Sequence, residues 1–105
     1  MPEGSGGPYR VVYFESTIHG TRTLALKASE LGIREHFIDS LKILQSKLKE
    51  EPLSWGDPLF RCHHLGLEMR HGIQSLVHVY YAVDEPNRVV YVRDLLPLPW
   101  KWKQS

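Results

Sequence analysis

The chain has 105 residues, 42% of them hydrophobic and 24% charged, with a formal net charge of +1. These values describe one small globular domain and exclude a disordered tail, a multidomain enzyme and a deeply enclosed cofactor cavity, so no cofactor is expected. The single cysteine, Cys62, rules out an internal disulfide framework, and 13 Lys plus Arg against 12 Asp plus Glu leave no global basic field.

Residues 1–8 read Met-Pro-Glu-Gly-Ser-Gly-Gly-Pro, a flexible lead-in without the basic segment and apolar core of an export signal. The single domain is expected over 9–105. From Tyr9 the run Tyr-Arg-Val-Val-Tyr-Phe-Glu is short and rich in β-branched and aromatic residues, which predicts a strand ending near Glu15. Ser16, Thr17, Gly20 and Thr21 supply turn and cap chemistry ahead of a helix whose apolar face carries Leu24, Ala28 and Leu31, and Gly32 is expected to end or kink it. A stronger helical stripe follows at Ile33, Phe37, Leu41, Leu44 and Leu48, and Pro52 stops that helix.

Beyond Trp55-Gly56-Asp57-Pro58 the helical period gives way to three strand-like runs, at 59–70, 73–84 and 88–95. His71-Gly72 and Asp84-Glu85-Pro86-Asn87 are the predicted turns, and the prolines of Pro97-Leu98-Pro99 are expected to end the last strand. The order β-α-α-β-β-β implies an α+β fold, a small and mainly antiparallel sheet with a helical pair on one face and the other face open. No stretch reaches the ~20 apolar residues that span a bilayer. With no membrane partner expected and one unpaired cysteine, cytoplasm is the expected compartment.

Strand alternation sends Val77, Val79, Tyr81 and Val83, with Val90 and Val92, toward the helices. The open face then receives Glu68, Arg70, His78, Tyr80, Tyr91 and Arg93. An arginine fork holds phosphate oxygens, tyrosine stacks on a base, and histidine or a carboxylate moves the proton when a ribose 2′-hydroxyl attacks, all without a metal. The competing reading of the same alternation is a sheet face whose charges simply meet solvent.

Cys62-His63-His64 with His71 has zinc-ligand chemistry but not zinc-site spacing. On a strand Cys62 and His64 share a face, His63 points away and no second ligand pair follows, so no metal is expected. Trp100 and Trp102 either pack back onto the sheet or form a partner site.

Four segments resemble the RelE/ParE superfamily of bacterial toxins: Trp55-Gly56-Asp57-Pro58-Leu59, Leu65-Gly66-Leu67-Glu68-Met69-Arg70, His78-Val79-Tyr80-Tyr81-Ala82-Val83-Asp84 and Arg88-Val89-Val90-Tyr91-Val92. The element order is similar too. The resemblance implies a toxin held by a cognate antitoxin protein, and in the RelE-like branch a ribosome-dependent endoribonuclease acting on messenger RNA. It places Arg70 and Asp57 as catalytic residues, with His78 as a phosphate ligand or base, while the open-face alternation offers Tyr80, Tyr91, Arg93 and Glu68, and the basic aromatic tail Lys101 and Trp102, as RNA contacts. His78 stands where the family usually has an arginine, and the basic residue or His-Tyr pair after the last strand is replaced by Asp94-Leu95-Leu96-Pro97. The alternative within the same fold is a non-catalytic binding module, such as a ParE-like inhibitor of DNA gyrase or an inactive relative.

Overall fold

Valine-rich alternation builds the centre of a five-stranded sheet in the computed structural model, which describes residues 7–102. Residues 1–6 of the expected lead-in and Lys103 of the tail lie outside them. Strand β4 (Val77–Asp84) buries Val77, Val79, Tyr81 and Val83 on one side, and β5 (Val89–Pro97) buries Val90, Val92 and Leu95 beside them. Next to β4 come β3 (Leu67–Gln74) and then β2 (Asp57–Cys62), all antiparallel. The first strand, β1 (Arg10–Tyr13), adds to β5 in parallel, so the sheet is mixed and its order is β1-β5-β4-β3-β2.

One face of this sheet is covered by α1 (Glu15–Glu30) and α2 (Arg34–Glu50). The stripe expected on α2 does the covering: Phe37, Leu44 and Leu48 are buried, while Ile33 and Leu41 pack at its margin. Gly32 adopts φ +75°, the left-handed conformation that lets the chain leave α1 at Leu31 and reverse into α2. Pro52 ends α2 and opens a single helical turn, α3 (Pro52–Trp55). The fold is α+β, and among the described residues no helix is long and apolar enough to cross a membrane.

Several boundaries differ from expectation, each for a local reason. Helix α1 begins at Glu15, ahead of Ser16 and Thr17, without any side-chain cap; the Thr17 hydroxyl instead donates to the Arg93 carbonyl at 2.6 Å. The run expected as one strand over 59–70 is two strands, separated by a 3-10 turn at His63–Leu65 that Gly66 closes with φ +67°. Four strands therefore follow the helices, not three. His71-Gly72 is strand interior, not a turn, because the reversal is made by Ser75 at φ 56° and Leu76. The Asp84–Asn87 turn forms as expected, with Asp84 Oδ1 accepting from the Asn87 backbone N–H. Pro97 still pairs with Val77 at the end of β5, where the missing N–H costs no inner ladder bond.

The two tail tryptophans part company. In α4 (Pro99–Trp102) Trp102 is 9% exposed, meets Phe37 edge-on at 5.4 Å and donates its indole N–H to the Leu76 carbonyl at 2.8 Å. Trp100 stays 68% exposed. Trp102 thus closes the end of the core between α2 and the β3-β4 turn. Replacing Trp102 by Ala is expected to cost about 3 kcal/mol, read as a lower urea midpoint, whereas Trp100→Ala costs less than about 0.5 kcal/mol in the same titration.

Candidate functional site

The parity of β3 decides which side chains share a face. Gly72 lies against the Trp55 ring; a Cβ there would meet Trp55 atoms at 2.6 Å. Trp55 also stacks on Tyr81 with ring centroids 6.0 Å apart, and the Tyr81 hydroxyl donates to the Pro52 carbonyl at 2.8 Å. Gly72 must therefore face the helices, and alternation takes Arg70 and Glu68 with it. Arg70 sits opposite Tyr81 in the ladder and is 6% exposed.

This corrects the expected constellation: Arg70 and Glu68 lie on the helix side, across the sheet from His78, Tyr80, Tyr91 and Arg93. The Arg70 guanidinium donates to Glu68 Oε2 and to the Gly56 carbonyl, while Arg61 reaches the other Glu68 oxygen at 3.3 Å. Burial disfavours the Arg70 charge, but hydrogen bonds to Glu68 and Tyr81 outweigh it and leave the pKa above the ordinary arginine value. Burial likewise raises the Tyr81 phenol, against the opposing pull of Arg70. Arg70 is a clamp between the α3-β2 corner and β3, with its charge already answered.

The outer face carries a different cluster. His71 Nδ1 and His78 Nε2 lie 2.9 Å apart, so the two imidazoles share a proton. Tyr80 lies against both rings, with centroids 5.8 Å from His71 and 4.6 Å from His78. In the ladder Asp57 is opposite His71 and Asp94 is opposite Tyr80, so a carboxylate flanks the cluster on either side. Burial, and then the neighbouring His71, lower the pKa of His78 below the ordinary histidine value.

A bulge supplies the cation. Tyr80 is opposite Asp94 but Tyr81 is opposite Val92, which leaves Arg93 as the extra residue of β5. Its carbonyl is held by Thr17, and its side chain is exposed with Nε 3.4 Å from Asp94. Beyond Tyr80 along the strands, Phe14, Leu65, Leu67, Met69, Tyr91 and Arg93 line a trough of about 430 Å3. Lys101 is exposed in α4, and Trp102 is buried against Phe37 and the Leu76 carbonyl, apart from this cluster.

Of the expected residues, the structure groups His78, Tyr80, Tyr91 and Arg93, with Asp57 at the β2 edge, and removes Glu68, Arg70 and Trp102. His71 was hidden by its assignment to a turn; its signal was the pairing of Gly72 with a nearby tryptophan. Cys62 Sγ lies 3.7 Å from His64 Nδ1, and no group of three or more metal-ligating side chains occurs among the described residues.

Two measurements follow from this geometry. Arg70→Leu removes the donor of Glu68 Oε2 and of the Gly56 carbonyl, leaving Glu68 only the exposed Arg61, and is expected to cost about 2–4 kcal/mol of stability in urea titrations. Because the folded state holds His78 below its unfolded pKa, the unfolded chain takes up a proton first as pH falls. Stability is therefore full above pH ~6.5 and declines from there down to the folded pKa, a slope that His78→Gln should flatten.

No family model, no curated protein and no solved structure matches the chain.

Proposed function

We propose that this protein is a RelE/ParE-like toxin that cleaves messenger RNA on the ribosome without a metal, with the outer sheet face as its working surface and an antitoxin protein as its natural partner. The observation that carries this reading is the His71–His78 contact on Tyr80, beside the bulge that presents Arg93. The reading is also supported by the α+β order of a strand, a helical pair and then antiparallel strands.

The chemistry is general acid–base transesterification. His78, kept neutral by its lowered pKa, takes the proton of the ribose 2′-hydroxyl as the 2′-oxygen attacks phosphorus. His71 returns a proton to the departing 5′-oxygen, leaving a 2′,3′-cyclic phosphate and a free 5′-hydroxyl. Arg93 meets the charge that builds on the phosphoryl oxygens, and Tyr80 and Tyr91 give stacking surfaces for the flanking bases. Asp57 and Asp94 stand where they can orient the cluster. Arg70 supports the face from behind and has no part in the proton transfers.

A second reading is favoured by the apolar neighbours of the same face, since Phe60 is 59%, Ile73 54% and Leu96 46% exposed. Such a surface suits capture of a protein target, as in a gyrase inhibitor, with no cleavage. Inducible expression in a bacterial host separates the two readings. Growth arrest with new messenger RNA ends, lost on His71→Ala and on His78→Ala by at least ~100-fold in cleavage rate, is the expected outcome. Arrest without RNA ends points to the protein target, and cleavage undiminished in both variants overturns the imidazole pair.

A further inference from the structure

A cavity lies away from the histidine face, on the helix side, lined by residues of α1 and α2 with Tyr13 of β1 and Leu95 of β5. It measures about 500 Å3, within the roughly 300–1,000 Å3 of small-molecule sites. Its cause is legible in α1. The face of that helix carrying Leu24 and Ala28 continues toward its start as Thr17, Gly20 and Thr21, residues too small or too polar to fill the space opposite α2. Thr21 turns its hydroxyl back to the Thr17 carbonyl at 2.7 Å, and Thr17 is spent on the β5 bulge. Ile18, Ile38, Leu41 and Leu95 are left lining an open slot.

The polar residues of the slot are not neutral in sum. Arg22 and Lys42, one from each helix, both line it and are both exposed. No carboxylate is among the lining residues, and neither cation forms an ion pair with a described residue. Tyr13 and Gln45 hydrogen-bond to each other within the lining, so they place no unanswered polar demand on an apolar occupant.

An aliphatic slot with two unopposed cations fits one ligand chemistry. We propose that it binds a free medium-chain carboxylate, with the hydrocarbon chain against Ile18, Ile38, Leu41 and Leu95 and the head group held by Arg22 and Lys42. Burial of the chain supplies affinity, and the paired cations distinguish an acid from an alcohol of the same length.

The test is calorimetric titration of the full chain with decanoate below its micelle concentration, beside decanol, with amide chemical-shift mapping. The proposal expects one saturable site per chain, tighter for decanoate than for decanol, with shifts confined to α1, α2 and the start of the sheet. Arg22→Glu combined with Lys42→Glu should weaken decanoate at least tenfold and leave decanol unchanged. Thr21→Leu, which fills the slot, should weaken both ligands without lowering the melting temperature. Equal affinity for the two ligands, shifts centred on the histidine face, no saturable binding, or co-sedimentation with phosphatidylglycerol vesicles in the absence of decanoate binding would each overturn it. Should Thr21→Leu fail to fold, the charge-reversed variant and the decanol comparison still decide the outcome.

Discussion

The Trp55 ring sits on Gly72 and Tyr81, and that contact fixes the parity of the whole outer half of the sheet. In a strand, a side chain's face is set by counting in twos from any fixed residue, so one obligatory contact commits every neighbour. Only glycine leaves room for the indole at position 72, and a one-residue slip would drive His71 into it. The same corner is reinforced at Gly56, where an added Cβ would meet the His71 carbonyl at 2.4 Å and the Tyr81 hydroxyl at 2.6 Å. Close packing at two glycines thus works together with the hydrogen bonds from Tyr81 to the Pro52 carbonyl and from Arg70 to the Gly56 carbonyl.

From that parity come two electrically different surfaces. On the helix side a permanent cation, Arg70, is enclosed with a carboxylate and a backbone carbonyl, an arrangement that suits fixing a register because it cannot lose its proton. On the outer side the cluster is built on two imidazoles, His71 and His78, whose facing ring nitrogens lie within hydrogen-bond distance of each other. A bulge then adds Arg93 to the second surface without disturbing the first, since Val92 and Leu95 keep their inward positions on either side of it.

Much of the fold was legible in the sequence because it follows from period alone. The α2 stripe, the inward valines of β4 and β5, the Gly32 reversal and the Asp84 turn all come from local patterning that tertiary contacts reinforce. The error lay in β3, and its cause was specific. Alternation correctly separated Leu67 and Met69 from Glu68 and Arg70, but the charged pair was sent outward on the general rule that charges meet solvent. A buried arginine answered by its own strand neighbour defeats that rule, and the contact that reveals it joins Trp55 to Gly72 across seventeen residues of sequence. A separate cause, the glycine of His71-Gly72 taken as turn chemistry, kept His71 out of the candidate site. The division between Trp100 and Trp102 was equally beyond local pattern, since it depends on where Phe37 and the Leu76 carbonyl sit in space.

The parallel pairing of β1 with β5 has a kinetic consequence. Arg10 lies opposite Val89, so the strand made first can join the sheet only after nearly all the intervening chain has been made. Helices α1 and α2 can form early from local contacts, but their apolar faces have no complete platform until β5 arrives. During synthesis the nascent chain therefore carries an exposed helical hairpin and an unpaired first strand, a state that invites a chaperone or a binding partner to act before the domain closes. For a protein of this topology, capture during translation and capture after folding address different molecules, and only the second presents the assembled outer face.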